Sequence, residues 1–216
     1  MKIISIKVTI LFLLCFGCKE TDNKSRVAHL PYYKDESFTP YWLVPGSDEE
    51  KNFHSISNFT TVNQDGDIVN SATFEDKIYV TDFFFTSCPG ICPRMTANMK
   101  EIQDAFLNEK DLLLLSHSVT PEKDSVSVLK NYAVNKGAIA GKWHLVTGER
   151  TTIYRLGREQ YFVENDLGTI KDVNDFLHTE NFLLIDKNKH IRGIYNGLNR
   201  ASINQLKIDI QTLLKE

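Results

Sequence analysis

Phe83-Phe84-Phe85-Thr86-Ser87-Cys88-Pro89-Gly90-Ile91-Cys92-Pro93 decides how this chain is read. The apolar run that enters it, residues 78–85, reads as a buried strand. The run that leaves it, residues 95–107, repeats Met95, Met99, Ile102 and Phe106 at three- and four-residue steps and reads as an amphipathic helix. Two thiols therefore lie where a strand hands over to a helix N-terminus. Such a terminus carries unpaired N–H groups and a positive partial charge. Both favour thiolate over thiol, the form that attacks disulfides and binds soft metals.

Working outward, Phe59–Val62 and Ile68–Val69 flank Asp65-Gly66 and predict a hairpin. Residues 112–115, running on to Val119, predict a second core strand, and residues 126–134 a helix that Gly137 ends. A strand is expected at 143–146 and a helix at 149–157. Strands at 182–185 and 190–195 are joined by the turn composition Asp186-Lys187-Asn188-Lys189. Ile203, Leu206, Ile210 and Leu213 put a last helix on one apolar face. Strands alternating with helices predict a parallel-centred sheet covered on both faces. With a cysteine pair closing the first core strand, the layout is α/β and thioredoxin-like: a central mixed sheet flanked by helices, with an N-terminal hairpin and a late β-hairpin insertion.

Residues 52–216 are expected to form this domain. Residues 19–51 are polar, with Pro31, Pro40 and Pro45 among Tyr32, Tyr33, Phe38, Tyr41 and Trp42, and predict a tether and then an extended segment that packs its aromatics on the domain. No periodicity supports a helix there. Residues 1–18 read as a targeting segment: Lys2 and Lys7 precede an apolar run, residues 8–16, far short of the ~20 residues that span a bilayer. Gly17-Cys18 after that run resembles a bacterial lipoprotein signal. The resemblance implies lipidation at Cys18 and a membrane-anchored, exported protein of the cell envelope. Cys15 stands where that signal usually carries Leu.

Of the four cysteines, only Cys88 and Cys92 are left for the mature domain, so the chain has no disulfide framework. A net charge of −3, with acidic residues scattered, offers no basic face for nucleic acid.

Three fragments in order resemble the Sco/SenC family of copper-binding, thioredoxin-like factors of cytochrome oxidase assembly. They are the cysteine loop; Ser118-Val119-Thr120-Pro121-Glu122-Lys123-Asp124 with the later Trp143-His144-Leu145-Val146-Thr147-Gly148; and Asp175-Phe176-Leu177-His178-Thr179 before Phe182-Leu183-Leu184-Ile185-Asp186. The likeness covers roughly residues 53–216. It implies one copper per chain, as Cu(I) or Cu(II), held by Cys88, Cys92 and His178. It also implies a metallochaperone whose partner is the copper-site subunit of cytochrome c oxidase or another copper or thiol protein of the envelope. Gly90, Thr120 and Leu177 stand where the family usually carries Asp.

The residues themselves agree with copper. Thiolates are soft and suit Cu(I), and imidazole adds a harder donor for Cu(II). Three protein ligands are sparse for structural zinc. The same pair, joined as a disulfide, cannot hold metal, so redox state and metal load are coupled. The competing reading is an envelope thiol–disulfide oxidoreductase whose catalytic pair is Cys88 and Cys92 and whose metal binding is incidental. An inert disulfide is disfavoured because so short a loop removes little unfolded-state entropy. A peroxidase reading lacks its Pro/Thr-rich context. His117, His144 and His190 sit in no matching motif, His29 and His54 read as solvent-facing, and Met95 and Met99 read as core.

Overall fold

A computed structural model of the chain describes residues 25, 27–164, 177 and 179–216. Cys15, Cys18 and His178 lie outside the described residues.

The extended segment that leads in is pinned through buried polar groups. Arg192 donates to the carbonyls of Leu30 at 2.7 Å and Pro31 at 3.2 Å, and its guanidinium lies 4.0 Å from the Tyr32 ring centre. A short helix, α1 (Asp48–Lys51), interrupts the segment, contrary to the expectation of no helix there. Its cause is local. The Ser47 hydroxyl accepts the Glu50 N–H at 3.2 Å, and acidic residues fill the first turn. Four residues are too few to display a period.

The domain then runs β1 (Thr60–Asn63), β2 (Ile68–Asn70), a 3₁₀ turn (Ser71–Phe74), β3 (Ile78–Phe84), α2 (Cys92–Ala105), β4 (Leu112–Ser118), α3 (Val126–Lys136), β5 (Trp143–Thr147) and α4 (Arg150–Arg155). A π-helical turn (Leu156–Gln160) extends α4, and β6 (Asn181–Ile185), β7 (Ile191–Asn196) and α5 (Arg200–Leu213) complete the chain. The strands form one seven-stranded sheet in the order β2-β1-β5-β4-β3-β6-β7. Its centre is parallel: β3 pairs with β4 from Ile78↔Leu112 to Phe84↔Ser118, and β4 with β5. The two hairpins add antiparallel edges, β1 beside β5 and β6 beside β3.

Alternation along β3 sends Ile78, Val80 and Phe84 to one face and Tyr79 and Phe83 to the other. The first face is covered by α2, α3 and α5 through Met95, Met99, Ile102, Leu129, Ile203, Leu206 and Ile210. The second is covered by α4 and the π turn through Ile153, Leu156 and Tyr161. Met95 and Met99 are fully buried, as expected of core. Gly137 ends α3 at φ 72°, a left-handed position open to glycine at little cost. Because β3 and β4 are parallel neighbours, the loops after them, 85–91 and 119–125, leave the same edge of the sheet side by side. That edge carries the cysteines.

Candidate metal and thiol centre

The helix after β3 begins at Cys92 itself, three residues earlier than its apolar period predicts. Pro93 fits the first turn because its missing N–H is one that a helix leaves unpaired there. Ile91, at the N-cap, has no polar side chain to accept the free amides. Cys88 takes that place. The N–H groups of Cys92, Gly90 and Ile91 and the Cys92 thiol all hydrogen-bond toward its sulfur. Cys88 itself precedes the helix, and the loop folds back to cap it.

The two thiols are driven apart in acidity. Burial alone would push Cys88 up, but the Cys92 thiol and the three amides outweigh it and hold Cys88 below its ordinary value. Cys92, only 4% exposed, is pushed up to about 12, first by burial and then by donating to Cys88. Half-buried Cys88 is thus the more acidic thiol of the pair, and Cys92 donates to it.

Both cysteines are held by the backbone of one residue, Phe85. The Phe85 carbonyl accepts the Cys88 N–H at 3.3 Å, and the Phe85 N–H points to the Cys92 sulfur. Phe84 packs with Cys92 on the α2 side of the sheet, Phe83 lies on the far side, and Phe85 touches both.

Beneath the pair sits Asp82, 2% exposed, which accepts from the Ser116 hydroxyl at 2.5 Å. Burial pushes its carboxyl up to about 7 against that hydrogen bond. Ser116 in turn accepts from the Trp143 indole at 2.9 Å. The sequence reading passed over Asp82; its signal was an acid inside an otherwise buried strand. It also quoted Asp124 without assigning it a role, yet this carboxylate is 1% exposed and gathers four hydrogen bonds from the two loops and the end of β4.

The structure brings Cys88 and Cys92 together. His178 lies outside the described residues, but both its neighbours are buried, Leu177 and Thr179. Leu177 packs on Gly157, where a Cβ would stand 2.4 Å from its Cδ1 and 3.2 Å from Phe83. His144 meets Asn63 at 3.3 Å, and His190 donates to the His54 carbonyl at 2.9 Å. His54 is not solvent-facing: it is half-buried, bonded to the Gln160 carbonyl at 2.8 Å and packed on Phe162. His117 is fully buried, stacked on Phe83 at 4.9 Å, and among the described residues neither ring nitrogen has a hydrogen-bond partner.

Among the described residues no group of three His, Cys, Asp or Glu side chains could hold a metal ion. What they supply is two adjacent sulfurs, one made more acidic by its hydrogen bonds. That donor set fits a soft monovalent ion and leaves coordination to be completed from elsewhere.

Sheet order, crossover pattern and a dithiol capping the helix after the first core strand define a thioredoxin-like protein. A family model described as SCO1/SenC matches residues 47–215, and the chain belongs to that family. It is 27% identical over 163 residues to the SCO1 protein homolog of Bacillus subtilis, covering 74% of this chain and 82% of that protein. Among solved structures, a SCO1/SenC family lipoprotein from Bacillus anthracis matches with a TM-score of 0.65 and 28% identity, over 74% of this chain and 95% of that one. The structure of BsSco, described as a Sco-family cytochrome c oxidase assembly protein with a disulfide switch, matches with a TM-score of 0.61 and 26% identity, over 74% and 93%.

Proposed function

We propose that this protein is a copper carrier that delivers copper to the dinuclear copper site of cytochrome c oxidase during its assembly, or keeps the cysteines of that site reduced. The observation that carries the reading is the hydrogen-bonded pair Cys88 and Cys92 at the head of α2, in a chain of the SCO1/SenC family. Copper is the cargo, one ion per chain. Cys88 and Cys92 supply the sulfurs that hold Cu(I), and His178 supplies the harder nitrogen that Cu(II) calls for. The pair closes to a disulfide when oxidised, which releases the ion and stops reloading until reduction. By resemblance, Cys18 carries the lipid anchor that keeps the domain at an envelope membrane, and a Cys18→Ser variant is expected to lose acyl labelling.

A second reading, an envelope thiol–disulfide oxidoreductase, draws support from the divided acidity of the pair. A lowered Cys88 attacks and a raised Cys92 resolves. A His178→Ala protein separates the two readings, because it keeps the dithiol. In a strain lacking the gene, a carrier fails to restore oxidase activity at low copper, whereas a pure reductase restores it in full.

A further inference from the structure

We infer that Asp124 is a positioning residue for the cysteine pair, acting through Thr86 to fix Phe85, whose carbonyl holds the Cys88 N–H and whose N–H faces the Cys92 sulfur. The inference rests on the dithiol reading of Cys88 and Cys92.

The geometry is a bracket between the two loops at the sheet edge. Asp124 Oδ1 accepts from the Thr86 hydroxyl at 2.5 Å. Its Oδ2 accepts from the Thr86 N–H at 3.2 Å, the Ser118 hydroxyl at 2.6 Å and the Thr120 hydroxyl at 3.0 Å. One buried carboxylate thus takes both donors of Thr86 and ties them to the end of β4. An acceptor-only carboxylate can face all four donors, whereas an amide would turn its own NH₂ toward some of them. Asp124 is itself held by its N–H on the Thr120 carbonyl at 2.9 Å, so the bracket is rigid on its far side.

Thr86 adjoins Phe85, whose carbonyl holds the Cys88 N–H and whose N–H faces the Cys92 sulfur. Past Phe84 the loop no longer pairs with β4 strand for strand. The bracket takes over where the ladder stops. It sets how near the two sulfurs stand, for a disulfide and for an ion held between them. The spacing of Thr86, Ser118, Thr120 and Asp124 also gives the first half of the second family-like fragment a physical role.

The test is the equilibrium of the reduced protein with reduced and oxidised glutathione. Cys88 attacks oxidised glutathione, releasing one glutathione thiolate. Cys92 then displaces the second and closes the Cys88–Cys92 disulfide. The equilibrium constant reports the effective concentration of one thiol at the other. Thr86→Val and Asp124→Asn are expected to lower it about tenfold, while Thr86→Ser, which keeps the hydroxyl, stays within twofold of wild type. Thr120→Val removes a donor to Asp124 without touching the cysteine loop; it should lower the melting temperature and leave the equilibrium alone. Circular dichroism confirms that each variant is folded. If Asp124→Asn does not fold, Thr86→Val against Thr86→Ser carries the test. The inference is overturned if folded Thr86→Val keeps the wild-type equilibrium, or if Thr120→Val shifts it as far. Competition with a chromogenic Cu(I) chelator is run alongside. A wild-type protein that takes no Cu(I) rejects the copper reading and leaves the glutathione result standing.

Discussion

Two buried titratable groups on adjacent strands should cancel each other's pH dependence, and removing either should expose the other. Asp82 on β3 and His117 on β4 face opposite sides of the sheet, and burial pushes each toward its uncharged form. Burial pushes His117 down to about 3 from an ordinary 6.5. Its stabilisation is therefore present above pH 6.5 and lost as pH falls toward 3. Burial pushes Asp82 up to about 7 from 3.8. Its stabilisation is present below pH 3.8 and lost as pH rises through 7. A fully shifted group contributes a slope of about 1.4 kcal/mol per pH unit between its two values. Over pH 4 to 6.5 His117 gains about 3 kcal/mol and Asp82 loses about 3 kcal/mol, so the pair leaves the metal-free, reduced protein nearly level. His117→Phe should become less stable by about 3 kcal/mol from pH 4 to 6.5, and Asp82→Asn more stable by about as much. Urea unfolding of the three proteins at pH 4, 5 and 6.5 measures this, and paired carboxylates common to all three drop out of the differences. Superimposable profiles would refute the reasoning, since they would mean that neither group changes its proton affinity on folding.

With limiting iodoacetamide at pH 7.5, the reduced protein should be labelled at Cys88 at least tenfold faster than at Cys92, read by peptide mass spectrometry; equal labelling would contradict the divided acidity of the pair. Cys88→Ala or Cys92→Ala should abolish stable copper binding, while His178→Ala should weaken Cu(II) far more than Cu(I). Cu(II) stoichiometry and thiolate charge-transfer absorption unchanged by His178→Ala would remove His178 from the ligand set. Gly157→Ala should cost about 1–3 kcal/mol in thermal unfolding, because the new Cβ would meet the Leu177 side chain and the Phe83 ring. A melting curve identical to wild type would show that Leu177 is free to move aside.

Periodicity and turn chemistry made most of the architecture legible. The buried run at 78–85, the hairpin around Asp65-Gly66, and the apolar faces of α2 and α5 each carry their signal in a few adjacent residues. The cysteine pair was legible for the same reason: two thiols and their prolines lie within six residues. Where signals were short or absent, the reading slipped. The four-residue α1 had room for a Ser cap but not for a period, and the π turn carries the helical path past 157, where the expected helix ended.

Other features depended on contacts between residues distant in the chain. That Cys88 caps α2 follows from the path of the loop. That the Asp82 carboxyl is pushed up and the His117 imidazole down follows from strand pairing and packing, which bury both inside the sheet's two faces. Asp124 and Thr86 are 38 residues apart and meet because β3 and β4 are parallel neighbours. The sequence by itself determined which elements form and which atoms can do soft-metal and thiol chemistry, because both are properties of side chains and their near neighbours. Only the tertiary structure decided which sulfur is acidic and what holds it, because burial and hydrogen bonding depend on what the rest of the chain brings alongside.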